Sequence, residues 1–200
     1  MRHLTVFAAL LFAPLAARAQ ESALPFTLPE FAALEKFQPD VLIGFRAGFV
    51  MATDAEEAVP FIGAGARFPI ASIAAVEFSF DVWQDEFAGG DAKVLHYPVM
   101  VSGMFYFPLE TPSTAPYIIA GVGMHNFKFD YSGALGGEPN DTDAEFSFHG
   151  GAGLELTVGR FLKVHMDVRW ILMDPDPAAD ALKNEEFDSV QFSFSLDLRF

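Results

Sequence analysis

The chain has 200 residues, is 52% hydrophobic with 23 phenylalanines, contains no cysteine and carries a formal net charge of −15. Without cysteine, a disulfide framework and a lipid anchor on an N-terminal Cys are both excluded. So strong an acidic balance also argues against binding nucleic acid through its phosphates.

The first segment, residues 1–19, has the layout of a secretory signal peptide. Arg2 and His3 precede an apolar run from Leu4 to Ala17, and Ala17-Arg18-Ala19 has the small-x-small form of a cleavage site. Pro14 interrupts the run, which is shorter than the roughly 20 residues a membrane-spanning helix needs. This favours a cleaved leader over an anchor, and losing Arg2 and Arg18 takes the mature chain from −15 to −17. Residues 20–39 form a periplasmic arm. Pro29 could open a short helix through Phe37, with Phe31, Leu34 and Phe37 along one side. An unstructured leader is the alternative, given Pro25, Pro29 and Pro39 and the marginal stability of short isolated helices.

Residues 40–200 alternate apolar and polar side chains, the period-two signature of β-strands. Eight strands are expected, at about 41–51, 59–69, 73–83, 94–107, 116–131, 145–158, 161–173 and 188–200. Val82-Trp83 could mark a bulge or slip. The connections after strands one, three, five and seven are long and polar, whereas Ile70-Ala71-Ser72, 108–115 and Gly159-Arg160 are short. Short turns on one rim and long loops on the other are expected of an antiparallel up-and-down transmembrane barrel, with the short rim and both termini in the periplasm. The last strand alternates without a slip, setting Val190, Phe192, Phe194, Leu196 and Leu198 opposite Gln191, Ser193, Ser195, Asp197 and Arg199, and ends on Phe200. The fold class is therefore all-β, an eight-stranded antiparallel transmembrane β-barrel.

Alternation alone does not say which face points inward. The charges on the polar face settle the choice: Arg46, Arg67, Lys128, Lys163, Arg169 and Arg199 stand against Glu77, Asp81, Glu145, Glu155, Asp167 and Asp197. Six bases balance six acids in a heavily acidic chain. That fits a closed lumen laced with ion pairs, where an uncompensated charge is costly. On strand five this reading sends Asn126, Lys128 and Asp130 inward, and His125, Phe127, Phe129 and Tyr131 outward. Phe105, Phe107, Tyr117 and Phe200 are then expected in a lower interfacial girdle, and Phe127, Phe129, Tyr131, Phe148 and Trp170 in an upper one. Core aromatics of a β-sandwich are the bland alternative.

The stretch Pro116-Tyr117-Ile118-Ile119-Ala120-Gly121-Val122-Gly123-Met124 resembles the Pro-Tyr-x-x-Ala-Gly-x-Gly signature of small outer-membrane barrels, similar to the OmpA transmembrane domain and the OmpW family. The resemblance spans about residues 40–200. It implies outer-membrane lipid and lipopolysaccharide as surroundings, and barrel-assembly machinery recognising the terminal Phe200. A monomer is expected, and since the sequence ends at Phe200 a cell-wall tether of the full-length OmpA type is not expected. The OmpW likeness would imply a narrow channel for small or hydrophobic solutes.

Catalysis finds little support in the residues. Barrels that deacylate lipid A use a His and a Ser two residues later, but the residue two after His125 is Phe127. Glu145, Ser147 and His149 share one face of strand six, about 6.5–7 Å apart along the strand, which is loose for a dyad and lumenal besides. His96 and His165 are expected in the lumen too. No His pair has zinc-ligand spacing, no Gly motif cradles phosphate, and no cofactor is expected. Acidic residues crowd the long loops, among them Asp54, Glu56, Glu57, Asp85, Glu86, Asp174 and Asp176. They are either a solvated rim or, through divalent cations, a contact to lipopolysaccharide phosphates. The expected function is non-enzymatic, structural or surface-interacting. A narrow channel and a lipid A or phospholipid acyl hydrolase are the alternatives.

Overall fold

A computed structural model describes residues 40–53, 58–87, 92–107, 109, 113–131, 141–173 and 188–200. The leader at 1–19, the arm at 20–39 and most of the acidic loop residues lie outside the described residues. Among the described residues there are nine strands: β1 Leu42–Ala52, β2 Val59–Ala71, β3 Ala74–Phe87, β4 Ala92–His96, β5 Val99–Tyr106, β6 Thr114–Tyr131, β7 Asp141–Val158, β8 Leu162–Leu172 and β9 Ser189–Arg199. All pairings are antiparallel, in the order β2-β1-β9-β8-β7-β6, then β4 and β5 together, then β3, which returns to β2.

β4 and β5 occupy one position in the barrel. The register is the same on both sides of their junction, His96 facing Phe127 and Val99 facing Met124. Only Tyr97-Pro98 interrupts the ladder, because proline has no N–H to donate. The result is a closed eight-stranded barrel, as the alternation implies. Trp83 keeps the alternation of β3. The irregularity lies instead between Pro69 and Ala71 of β2, so the bulge expected at Val82-Trp83 is absent.

Closure fixes the dimensions. Following paired residues once around, from Leu42 through Arg67, Glu77, Ser102, Gly121, His149, Ile171 and Ser189, leads back to β1 at Ala52, ten residues further on. Eight strands so staggered leave an interior that side chains can fill. The tightest turn, β7 to β8, uses Gly159 at φ 70°, a conformation that only glycine adopts cheaply. At the same rim the Phe200 N–H donates to the Val41 carbonyl at 3.0 Å, and Arg199 pairs with Asp40 at 2.9 Å.

The outward face is a continuous apolar band. Phe45 is 80% exposed and Ile62 72%, and Phe78, Val101, Val122, Phe148, Trp170 and Leu196 also point out. In water such a surface would be untenable, and in hydrocarbon it is the solvated face. On β3, β4 and β6 the band ends before the strands do. Outward positions turn polar at Gln84 and Glu86, at Lys93, and at Asn126, Lys128 and Asp130, so this side stands as a wall above the band. Exposed pairs Lys93–Glu86 at 3.3 Å and Lys128–Asp130 at 3.4 Å decorate it.

Here the sequence expectation for strand five is overturned. Lys128 points outward and is half exposed, while His125, Phe127 and Phe129 point inward and are fully buried. Tyr117, expected in the lower girdle, is also inward and buried. Within 117–124 both faces of β6 are apolar, so only residues 126–130 distinguish them. Those residues stand beyond the band, where water lies outside and protein inside, and the polarity of the two faces is exchanged.

Candidate functional site

The described inward-facing side chains form two storeys in the lumen. The lower one, nearer the short turns, is built on Glu77 of β3, a fully buried carboxylate held by three arginines from three other strands. Arg46 of β1 reaches Oε1 at 2.9 Å, Arg169 of β8 reaches Oε1 at 2.8 Å, and Arg67 of β2 reaches Oε2 at 2.6 Å. Each arginine has a second carboxylate. Arg46 grips Asp81 through two bonds of 3.1 and 3.3 Å, and Arg169 grips Asp167 at 2.7 and 3.2 Å. Arg67 pairs with Asp197 of β9, which also accepts from Ser195 at 3.2 Å. Toward the rim, His165 lies between Asp197 and Glu155, and Lys163 closes on Glu155.

Neutral groups complete this storey. The Tyr117 hydroxyl donates to Asp167 at 2.8 Å, and the Gln191 amide donates to Asp81 at 2.9 Å. Tyr117 also packs with Ala75, Met104 and Ile119 in an apolar cluster beside the charges. Arginine suits such a place because its planar fork satisfies two carboxylates at once and stays charged.

Room for these long side chains comes from inward-facing glycines. A Cβ on Gly153 would lie 2.5 Å from Tyr117 Cζ, and one on Gly121 would lie 2.7 Å from Ser102 Cα and 2.9 Å from His149 Cε1. The outward-facing Gly103 and Gly150 meet no such obstacle.

The upper storey has a different chemistry. Val50, Phe61 and Trp83 pack together, and Trp83 stacks on His96 with centroids 4.8 Å apart and planes 14° from parallel. Phe127 sits edge-on to His96 at 5.0 Å, and His125 is edge-on to Trp83 at 6.1 Å. Several polar atoms between the storeys are buried without a partner: both ring nitrogens of His96 and of His125, Ser79 Oγ, Ser147 Oγ and His149 Nδ1. At the top, above the band, burial pushes the Asp85 carboxyl above its ordinary range, with the neighbouring Glu86 charge adding to the effect and the Glu86 N–H opposing it.

The structure therefore sorts the charged residues singled out in the sequence. Arg46, Arg67, Glu77, Asp81, Glu155, Lys163, Asp167, Arg169 and Asp197 meet in the lower storey. Arg199 sits apart at the rim with Asp40, 40% exposed. Glu145 faces inward on β7 but forms no ion pair with another described residue, and Lys128 is outside altogether. Sequence reasoning put Tyr117 in the lower girdle, took Trp83 only as part of a possible bulge, and set Gln191 on the polar face without giving it a role. The odd-numbered register that Trp83 shares with Glu77 and Asp81 was the available signal for Trp83.

Ser147 and His149 are not hydrogen-bonded to each other. His149 Nε2 instead lies 2.8 Å from Ser102 Oγ, across Gly121. Its Nδ1 has no acid to orient it, and Ser102 is 1% exposed. A nucleophile so placed lacks the third member that fixes the imidazole and has no open face toward a substrate.

The outer membrane protein β-barrel domain model matches residues 5–200. A search of the curated proteins finds no match. Among solved structures, Neisserial surface protein A is similar at TM-score 0.61 and 11% identity, over 80% of this chain and 96% of that one. OprG from Pseudomonas aeruginosa is similar at TM-score 0.58 and 15% identity, over 81% and 96%. The N-terminal barrel domain of OprF from the same organism is similar at 0.56 and 10%, over 82% and 100%. At these identities the likeness is one of fold, an eight-stranded antiparallel barrel. Fold, apolar band and family match agree, and the chain belongs to the outer membrane protein β-barrel domain family.

Proposed function

We propose that this protein is a non-enzymatic outer-membrane barrel with a structural or surface-interacting role, its lumen closed by ion pairs. The observation that carries this reading is Glu77, which joins arginines from β1, β2 and β8 across the interior with no exposed side-chain surface. A network of this kind adds little net stability over an apolar core, because desolvation offsets the attraction. What it supplies is closure and register, since each arginine finds its two carboxylates only in one stagger of the strands. The aromatic storey above closes the second half of the path. The raised wall of β3, β4 and β6 is then the part presented to lipopolysaccharide or other surfaces.

Single-channel recording of the refolded full chain in planar bilayers tests this reading. A closed lumen gives no steady conductance, whereas a steady open level would favour the narrow channel. Lipid A mass spectrometry with and without expression tests the hydrolase alternative, for which Ser102→Ala, rather than Ser147→Ala, is the informative variant.

A further inference from the structure

We propose that His96 and His125 form a clamp for a divalent transition-metal ion in the outer half of the lumen. The two histidines are 29 residues apart in sequence, and the barrel brings them together. His96 of β4 faces Phe127 in the register, two positions from His125 on the same inward face of β6, so the histidines are diagonal cross-strand neighbours. Such neighbours have Cα atoms about 7–8 Å apart, within reach of two imidazoles. Their rings flank the same two aromatics, Trp83 at 4.8 and 6.1 Å and Phe127 at 5.0 and 6.2 Å.

The second observation concerns their nitrogens. His96 is 3% exposed and His125 0%, yet none of their four ring nitrogens has a hydrogen-bond partner. The other described histidines each use at least one, His149 its Nε2 toward Ser102 and His165 both nitrogens toward Glu155 and Asp197. Buried imidazoles are normally satisfied, and one that is not points to something else that its lone pair serves. Further donors stand close by in the register. Glu145 faces His125 directly from β7, and Met100 and Ser147 flank Gly123, the next inward position below His125.

Imidazole with one carboxylate suits copper, nickel and zinc rather than the hard cations calcium and magnesium. Among the described residues no three His, Cys, Asp or Glu side chains already converge on one point. The clamp is thus two-toothed, with Glu145, opposite His125 in the register, as the candidate third ligand. No bond is made or broken beyond coordination of the neutral imidazoles.

Trp83 provides the reporter, because it touches both rings and the only other tryptophan, Trp170, faces lipid. Mature protein beginning at Gln20 and carrying Trp170→Phe, which lacks the copper-chelating amino-terminal Met1-Arg2-His3, is refolded in detergent and titrated with copper(II) chloride while tryptophan emission is followed. The expected result is saturable quenching at one equivalent. Saturation is lost in His96→Gln/His125→Gln and in His125→Gln alone, and needs at least tenfold more copper in Glu145→Gln. Heat-modifiable gel migration checks that each variant is folded. Quenching that rises without saturation, or saturation retained in the folded double variant, overturns the proposal.

Discussion

Between Pro116 and Met124 the outward side chains of β6 are apolar, and from Asn126 to Asp130 they are polar, although one unbroken alternation runs through both stretches. The inward set changes as well, from Tyr117 and Ile119 beside the ion pairs to His125, Phe127 and Phe129 under the wall. Parity along a strand decides which side a residue is on. The solvent at that height decides what the side should be made of, hydrocarbon demanding apolar groups and water tolerating charge. A polar face therefore identifies the lumen only within the membrane band. Above it, the same polarity identifies the outside.

The lower and upper storeys should respond differently to substitution. Glu77→Gln leaves three buried guanidinium groups sharing fewer carboxylates, and breaking a buried network of this kind costs about 3–5 kcal/mol. Urea unfolding of the refolded barrel in micelles should show a correspondingly lowered midpoint. If Glu77→Gln unfolds like the parent, the three arginines are not held in the way described.

The glycines sharpen the contrast between the inner and outer faces. Gly153→Ala places a Cβ against Tyr117, an overpacking that costs about 1–3 kcal/mol. Gly103→Ala, on the open face, should stay within about 0.5 kcal/mol of the parent by the same unfolding assay. Equal effects would contradict the assignment of faces.

Above the band the expected effects are smaller and depend on pH. Burial holds the Asp85 carboxyl above its unfolded value of about 3.9, so the folded chain keeps this proton to higher pH. Stability then falls as pH rises from about 4 through the raised folded value, because the folded state binds more protons in that window. Asp85→Asn should accordingly unfold later than the parent at pH 7 and together with it at pH 3. The smallest effect belongs to Lys128→Ala. An exposed pair with Asp130 contributes about 0–1 kcal/mol, and the midpoint should barely move. A loss of several kcal/mol would return Lys128 to the lumen.

Much of the fold was legible because period two is rigid. The β9 alternation from Val190 to Leu198, the short turn at Gly159 and the matching rims required no tertiary knowledge. The ion-pair storey was partly legible, since charges on the alternate face of a membrane strand have few other places to go. Its partner choices were not, because Arg67 and Glu77 find Asp197 and Arg169 only after ten residues of stagger bring β9 and β8 around. Strand β6 misled because Tyr117, Ile119 and Val122 are apolar on both faces. Gly121 and Gly123 held the missing signal: small residues on one face of a strand provide space for long ones, and that space is needed inside.

Accessibility along β6 tests the account most directly, and a chain without cysteine makes it clean. Single cysteines replace Ile118, Ile119, Val122, His125, Asn126, Phe127 and Lys128 in turn, and the folded barrel in lipid vesicles is treated with a water-soluble maleimide. The account predicts rapid labelling at 126 and 128 only, with 118 and 122 protected by lipid and 119, 125 and 127 protected by a filled lumen. Labelling at 119 and 125 would show an open interior, and protection of 126 and 128 with labelling at 127 would show that the faces are the other way round.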